Sequence, residues 1–266
     1  MDLQLRDKRV LITGSSSGIG EGIAKALAQE GATVVVHGRN EEKTNRVAQE
    51  IAKCGGKALM VVGDLSTDEG AYQVVEKVQS SLGGVDILVN NAGIFGNHTW
   101  MGSSPDNWAE IYNVNVVSMV RLIQLLVPEM KHLGWGRIIQ ITSGLAINPF
   151  AIRPDYEASK AAIMNLTVSL SKELAETSIT VNSVSPGLIA TSEVKHMFHQ
   201  MASSKGWGTD WVEIEKNALQ ENWPNPTGRF GRVEEVANLV TYLASPLADY
   251  INGANLRVDG GGVGTI

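Results

Sequence analysis

The sequence has 266 residues, of which 43% are hydrophobic and 19% are charged. A chain of this size and composition can bury an extensive core, which excludes an intrinsically disordered protein and a small disulfide-stabilised scaffold. The 22 basic and 28 acidic residues give a net charge of −6, and no cluster of lysine and arginine forms the basic surface that nucleic-acid binding needs. We therefore expect no nucleic-acid partner.

Cysteine content and apolar runs indicate the cellular setting. Cys54 is the only cysteine, so the chain can form no internal disulfide and no cluster of thiolates around a metal. We expect a cytoplasmic protein without a metal site. The first ten residues are too charged for a signal peptide. The strongest apolar run, 122–127, is far shorter than the roughly 18 residues of a membrane span, so we expect no membrane segment.

Short β-rich apolar segments alternate with longer segments of helical periodicity along the chain. Helical connections between strands favour parallel crossovers with helices on both faces of a sheet. We expect an α/β fold, a doubly wound, Rossmann-like parallel sheet of about seven strands, in one domain over 1–266. The predicted strands are 9–13, 33–37, 58–62, 87–89, 138–142, 180–184 and 256–258. The predicted helices are 19–29, 41–52, 68–82, 108–132, 156–175 and 233–244.

A glycine-rich turn follows the first predicted strand and leads into a helix. Ligands of doubly wound sheets bind at the carboxyl ends of the strands, where this turn lies. Its GxxxGxG spacing lets the backbone approach a diphosphate, and the amides at the start of the helix favour an anion. We predict a phosphate-binding turn, with an ordinary glycine-rich connection as the alternative. The residues assigned to it are Gly14, Ser16, Ser17, Gly18, Ile19 and Gly20.

The end of the second predicted strand bears on the choice of cofactor. A chain that binds NAD is expected to place a carboxylate there to hold the ribose 2′-hydroxyl. Here Gly38 and Arg39 follow the strand. Because a guanidinium suits a 2′-phosphate, the sequence favours NADP over NAD. The alternative is that Arg39 is a solvated turn residue.

Polar and small residues follow the third and fourth predicted strands. Asp64 and Leu65 come after the third, and Asn91, Ala92 and Gly93 come after the fourth. We predict that these residues line the adenosine part of the cofactor, with Asp64 accepting a hydrogen bond from the base. Asp64 could equally cap a turn.

The candidate catalytic residues follow the fifth predicted strand. Ser143 ends that strand, and Tyr156 and Lys160 lie four residues apart on one face of the next helix. Because a cation beside a phenol favours the phenolate, we expect Lys160 to lower the pKa of Tyr156. Ser143 can polarise a carbonyl oxygen while Tyr156 delivers a proton to it. Such a Tyr-x-x-x-Lys pair alone is more typical of a solvated helix face, and the neighbouring motifs favour the catalytic interpretation.

Together these motifs resemble the short-chain dehydrogenase/reductase family from about Lys8 to Gly261. The resemblance implies that Tyr156 is the general acid/base and that Ser143 orients the substrate. It also implies that Lys160 holds the nicotinamide ribose and that Asn115 positions a water in a proton relay. The motifs that carry the resemblance are 13–20, 90–93, Ser143, Tyr156-x-x-x-Lys160, 181–187 and 258–261.

The resemblance further implies that Pro186, Gly187, Ile189 and Thr191 line the nicotinamide, with Ile189 and Thr191 contacting its carboxamide. Homotetramers are common in the family, so a homotetramer is expected. Many NADP-using members carry a basic residue where this sequence has Ser17. Arg39 is then the main charged ligand of the 2′-phosphate.

The segment 192–227 is longer than a compact connection and is rich in methionine and aromatic residues. We predict a helical lid over an apolar or aromatic carbonyl substrate, although these side chains could pack only against the lid and a partner subunit. Arg153, just before Tyr156, could recognise an anionic substrate but is more typical of a solvated side chain. The lid residues are Met197, Phe198, Met201, Trp207, Trp211 and Trp223.

The leading hypothesis is hydride transfer between NADP(H) and a small-molecule carbonyl or secondary-alcohol substrate, as in a ketone or 3-oxoacyl reductase. One alternative is a cofactor-binding regulatory or scaffold protein that has kept the fold without catalysis, since fold does not guarantee activity. Another alternative is an NAD-dependent alcohol or sugar dehydrogenase.

Overall fold

Seven strands form one parallel sheet in the order β3-β2-β1-β4-β5-β6-β7, which confirms the predicted doubly wound fold. The computed structural model describes residues 1–221 and 223–264; Asn222 of the predicted lid, and Thr265 and Ile266 of the predicted domain, lie outside the described residues. The strands are β1 (Arg9–Ile12), β2 (Thr33–Gly38), β3 (Lys57–Val62), β4 (Ile87–Asn90), β5 (Gly136–Ile141), β6 (Ile179–Pro186) and β7 (Asn255–Val258).

Helices connect successive strands and cover both faces of the sheet, because parallel neighbours require long crossovers. The helices are α1 (Gly18–Gln29), α2 (Glu41–Lys53), α3 (Asp68–Leu82), α4 (Pro105–Tyr112), α5 (Ser118–Leu133), α6 (Pro154–Glu173), α7 (Ser192–Lys205), α8 (Trp211–Glu221) and α9 (Val233–Ala244).

Strand β1 is apolar on both faces because its alternate side chains enter two separate core clusters. In β1, Val10 and Ile12 pack with α1 and α9, whereas Leu11 packs with α3 and α5 on the other face. All three side chains are fully buried. This packing holds the carboxyl ends of the strands at one edge of the sheet, where the candidate site lies.

The strand order reverses between β1 and β4, which are hydrogen-bonded neighbours. The chain leaves β1 toward β2 and leaves β4 toward β5, so the two connections diverge and leave a crevice between them. The Asn91 side-chain amide links the two connections, donating to the carbonyl oxygens of Thr13 and Gly14 at 3.0 Å each. The glycine-rich turn and the Asn91 loop therefore form the two sides of the crevice.

The predicted helix 108–132 is wrong as one regular helix. A π-helical segment, Asn113–Val117, separates α4 from α5, and α4 begins earlier, at Pro105, with a capping box between Ser104 and Asn107. A π-helical turn contains one more residue than an α-helical turn, and hydrophobic periodicity does not reveal this insertion. The sequence analysis therefore did not predict the segment. By length and composition, the helical run Pro105–Leu133 could cross a membrane. Its residues Leu122 and Leu126 are instead fully buried against the sheet.

The segment after β6 contains α7 and α8, which pack around an aromatic cluster of their own. The Phe198 ring contacts the rings of Trp223 and Phe230 at centroid distances of 5.2 and 5.1 Å. Phe198 is fully buried and Trp207 is 4% exposed within this cluster. The segment is helical, as expected, and these two side chains pack within it.

Candidate active site

The glycine-rich turn after β1 is held in place by His37 of β2. The Gly14 amide donates to His37 Nδ1 at 3.2 Å, and the Ser15 amide donates to the His37 carbonyl at 2.8 Å. Burial lowers the pKa of His37 to about 4, so the ring is neutral at neutral pH and its Nδ1 can accept. Sequence reasoning missed this role, because a histidine in an apolar strand carries no local signal for it.

The turn requires glycines because its backbone packs closely against the loop after β4 and against itself. A Cβ at Gly14 would lie 2.8 Å from the Ala92 Cα, and a Cβ at Gly20 would lie 2.5 Å from the Gly14 carbonyl oxygen. Ser17 is the N-cap of α1, but its side chain makes no capping hydrogen bond. The amides of the first helical turn, beginning with Gly18 and Ile19, are therefore available to an anion.

The end of β2 lies directly beside this turn. A Cβ at Gly38 would lie 2.7 Å from Ser16 Oγ, so only glycine fits there, and the exposed Arg39 follows it. The Arg46 guanidinium also reaches the turn, donating to the Ser16 carbonyl at 3.3 Å. Arg46 forms ion pairs with Glu21 of α1 and with a glutamate of its own helix, α2. Its proximity to the turn was not apparent from the sequence, and its guanidinium is already engaged by these ion pairs.

Two predicted adenosine-site residues are already engaged within the protein. Asp64 Oδ1 accepts the Ser66 amide at 3.0 Å, which is the turn-capping alternative, and hydrogen bonds from Ser66 lower the pKa of Asp64. The Leu65 side chain is 5% exposed in the core, and its carbonyl accepts from Arg121 at 3.3 Å. The Leu65 side chain therefore packs in the core rather than in the crevice.

The residues after β4 brace the crevice. The Asn91 and Ala92 amides each donate to Thr13 Oγ1 at 3.0 Å. A Cβ at Gly93 would lie 3.1 Å from Asn115 Oδ1 and 3.5 Å from Lys160 Nζ. Gly93 thus lets the loop approach two of the predicted catalytic residues.

Asn115 lies in the π-helical segment and is 2% exposed. Its Oδ1 accepts the Ile94 amide at 2.8 Å, and its Nδ2 donates to the Ile94 carbonyl at 2.9 Å. Nδ2 also lies 3.0 Å from Ser159 Oγ on α6. Because π-turns displace side chains from the regular helical pattern, this one places Asn115 between the β4 loop and α6.

The structure brings Ser143, Tyr156 and Lys160 together at the end of β5. Ser143 Oγ accepts the Leu145 amide at 3.2 Å, and its hydroxyl also interacts with the Tyr156 phenol. Lys160 Nζ lies 5.7 Å from the centroid of the Tyr156 ring and donates to the Ile141 carbonyl at 2.9 Å. Helix α6 starts at Pro154, whose fixed φ suits the first helical position, so Tyr156 lies in its first turn.

The predicted lowering of the Tyr156 pKa by Lys160 is wrong. Burial raises the pKa of Tyr156, against the opposing effects of the Ser143 hydroxyl and the Arg153 charge. Burial also lowers the pKa of Lys160 to about 8, and its ammonium is directed at a backbone carbonyl. The phenol is therefore protonated at neutral pH, which is the state required of a general acid.

The buried ammonium of Lys160 makes a pH-dependent contribution to stability. Its pKa is about 8 in the folded protein against an ordinary 10.5, so the unfolded chain binds more protons between those values. The free energy of unfolding contributed by this group therefore rises with pH across that window. The free energy of unfolding of the wild type minus that of Lys160→Met, each measured by urea denaturation, should increase by on the order of 3 kcal/mol from pH 8 to 10.5. A difference that does not change with pH would contradict burial of the ammonium.

The predicted nicotinamide-lining residues link the sheet to the predicted lid segment. Pro186 ends β6, and the Gly187 amide donates to the Val258 carbonyl at 2.9 Å. Ile189 is 3% exposed and forms a parallel bridge with Gly231. Thr191 caps α7 by accepting the Val194 amide at 3.2 Å. Its Cγ2 lies 3.6 Å from the Cβ position of Gly18, so the start of the lid segment meets the glycine-rich turn.

Sequence reasoning also missed a pair of groups at the start of α6. Asp155 is fully buried, and its Oδ2 lies 2.9 Å from His98 Nδ1. Its Oδ1 accepts the Tyr156 amide at 2.8 Å. His98 belongs to the loop after β4, so the pair joins that loop to the turn of α6 that carries Tyr156. The two residues are 57 positions apart in the sequence, which offers no local signal of their contact.

A glycine-rich turn at the topological switch point, beside a serine, a tyrosine and a lysine, defines a dinucleotide-dependent oxidoreductase site. The family model of short chain dehydrogenases matches residues 8–202. The chain belongs to this family of oxidoreductases.

Curated relatives and solved structures match almost the full chain. The 3-oxoacyl-[acyl-carrier-protein] reductase of Aquifex aeolicus is 36% identical, covering 98% of this chain and 99% of its own. The 7alpha-hydroxysteroid dehydrogenase of Escherichia coli K12 is also 36% identical, covering 98% of this chain and 96% of its own. L-sorbose reductase from Gluconobacter frateurii, solved with NADPH and L-sorbose, is 38% identical with a TM-score of 0.94 and full coverage of both chains.

Proposed function

We propose that this protein is an NADP-dependent carbonyl reductase that transfers a hydride between NADP(H) and a ketone or secondary alcohol. The observation that carries the proposal is the convergence of Ser143, Tyr156 and Lys160 beside a glycine-rich turn whose first helical amides are available to an anion. The relatives support this class, since they include a 3-oxoacyl reductase and a sugar reductase bound to NADPH.

Each of these side chains, together with Asn115, has a proposed role that its position supports or that the family resemblance implies. Bound NADPH supplies the hydride that adds to the carbonyl carbon. Ser143 donates a hydrogen bond to the carbonyl oxygen, and Tyr156 passes its proton to the same oxygen as negative charge develops there. The raised pKa of Tyr156 keeps this proton on the phenol at neutral pH. Lys160 holds the nicotinamide ribose, and Asn115 fixes the loop beside it and positions a water of the relay.

NADP is the proposed cofactor because Arg39 lies at the end of β2, beside Gly38 and the turn. Replacing Arg39 by Ala should raise the KM for NADPH about tenfold or more while barely affecting the KM for NADH. The two cofactors serve as each other's control, because NADH lacks the 2′-phosphate. An equal rise for both would show that Arg39 supports the fold rather than the phosphate.

The substrate-level test is a steady-state screen of NADPH and NADH oxidation against acyl thioesters, sugars, steroids and small aromatic ketones. The proposal expects turnover of at least one ketone class with a preference for NADPH. A preference for NADH would favour the NAD-dependent dehydrogenase, and no turnover with either cofactor would favour a non-catalytic cofactor-binding protein. A cytoplasmic homotetramer with residues 192–227 as a substrate lid is the proposed context for this activity.

A further inference from the structure

Arg153 is held in an unusual backbone conformation directly before α6. Its φ and ψ are 62° and 44°, in the left-handed region, whereas a residue before proline is normally extended. Its amide donates to the His98 carbonyl at 2.8 Å, and the preceding Ile152 forms an antiparallel bridge with Thr99. The loop after β4 thus fixes Arg153 in place. Backbone strain maintained in this way is concentrated at functional sites.

The guanidinium of Arg153 is positioned next to the catalytic tyrosine. Its central carbon lies 4.9 Å from the centroid of the Phe95 ring, and the same ring packs edge-on against Tyr156 at 6.2 Å. Nη2 donates to Asn97 Oδ1 at 2.9 Å, which fixes the plane of the guanidinium. The positive charge acts on the phenol, since it opposes the rise of the Tyr156 pKa.

The neighbouring carboxylates of the described residues form no ion pair with Arg153, although its charge opposes the rise of the Glu157 pKa caused by burial. Asp155 is fully buried against His98 and the Tyr156 amide. Glu157 is 4% exposed and accepts the Phe150 amide at 3.1 Å through both oxygens. Within residues 1–221 and 223–264, Arg153 forms no ion pair, and its only side-chain hydrogen bond is the one made by Nη2. Nε and Nη1 therefore remain available to a ligand.

We propose that Arg153 is a specificity-determining residue that binds an anionic group of the carbonyl substrate. The preferred substrates are then oxo compounds that carry a carboxylate or a phosphate monoester, because a guanidinium pairs with the oxygens of either group through parallel hydrogen bonds. This inference rests on the proposed reductase function of the same site. The aromatic residues of the lid segment offer less support for an apolar substrate, because Phe198 and Trp207 are buried in their own cluster.

The test compares charged and neutral forms of one ketone. A series of oxo acids with increasing distance between ketone and carboxylate is assayed beside the methyl esters of the same acids, and dihydroxyacetone phosphate is assayed beside dihydroxyacetone. With the protein and NADPH, Arg153→Gln should lower kcat/KM at least about tenfold more for the preferred anionic substrates than for their neutral partners, which report any common effect of the lost charge on the Tyr156 phenol. Comparison of the oxo-acid series with dihydroxyacetone phosphate identifies whether the site prefers a carboxylate or a phosphate.

Two further variants separate binding from structural effects. Arg153→Lys keeps the positive charge but lacks the planar guanidinium that forms two parallel hydrogen bonds. Its kcat/KM for the anionic substrates should lie between the values of wild type and Arg153→Gln. Arg6→Gln removes one exposed arginine before β1, at the opposite edge of the sheet, and should change neither class. An equal loss for charged and neutral substrates, or no loss for either, would overturn the inference while leaving the reductase function intact. Failure of the wild type to reduce any ketone would refute the proposed function and this inference with it.

Discussion

Replacing Tyr156 by Phe is expected to lower kcat at least about 1000-fold, within the range typical of losing a positioned general acid. The variant keeps the ring that packs against Phe95 and loses only the hydroxyl beside Ser143. The glycine-rich turn is untouched, so the Kd for NADPH, measured by fluorescence titration, should stay within about threefold of the wild-type value. Single-turnover rates with a ketone found in the screen would show that the loss lies in the chemical step.

Tyr72 provides a matched control for removal of a phenol hydroxyl. It is 54% exposed on α3 and is not one of the predicted site residues. Tyr72→Phe should therefore keep wild-type kcat and KM. Retention of more than about a tenth of kcat by Tyr156→Phe would assign the proton transfer to another group.

Replacing Gly14 by Ala is expected to lower both NADPH affinity and stability, the second largest effect after the loss of kcat in Tyr156→Phe. Gly14 has a φ of 62°, and the new Cβ would lie 2.8 Å from the Ala92 Cα, a backbone atom. The clash cannot be relieved by a side-chain rotation, so the turn or the loop after β4 must move. We expect NADPH affinity to fall at least about tenfold. Backbone strain and overpacking together should lower the free energy of unfolding by roughly 2–4 kcal/mol. Fluorescence titration and urea denaturation measure the two effects.

Gly55→Ala isolates the contribution of the backbone conformation. Gly55 also has a positive φ, 83°, but its Cβ would have no neighbour within 4 Å. This variant should lose only about 1–2 kcal/mol of stability and no NADPH affinity. If Gly14→Ala behaves like Gly55→Ala in both assays, the close approach of the two loops is not required for cofactor binding.

Local patterns in the sequence were sufficient to predict the sheet and the residues that meet at the end of β5. The apolar segments around β1 and β2 are bounded by turn residues, and the helical segments between strands are long enough to require parallel crossovers. Ser143, Tyr156 and Lys160 follow β5 in chain order, so their convergence follows from the topology. These features depend on short stretches of sequence or on the order of elements.

Features that depend on distant contacts could not be predicted. The contacts of His37 with the turn, and of His98 with Asp155, join separate loops whose approach only the packed sheet determines. The predicted direction of the Tyr156 pKa shift was wrong because burial, which a sequence does not report, outweighs the opposing effects of the Ser143 hydroxyl and the Arg153 charge. The π-helical segment around Asn115 likewise differs from an α-helix by an insertion that periodicity does not detect.

The most direct test of the proposed reaction follows the hydride itself. NADPH deuterated at the nicotinamide C4 position that donates the hydride is incubated with the enzyme and a ketone, and the alcohol is analysed by mass spectrometry and NMR. The account predicts one deuterium at the former carbonyl carbon for each NADPH oxidised, and formation of this product at least about 1000-fold more slowly with Tyr156→Phe. Alcohol without deuterium from either C4-labelled form of NADPH, or equal deuterated product from Tyr156→Phe, would contradict it.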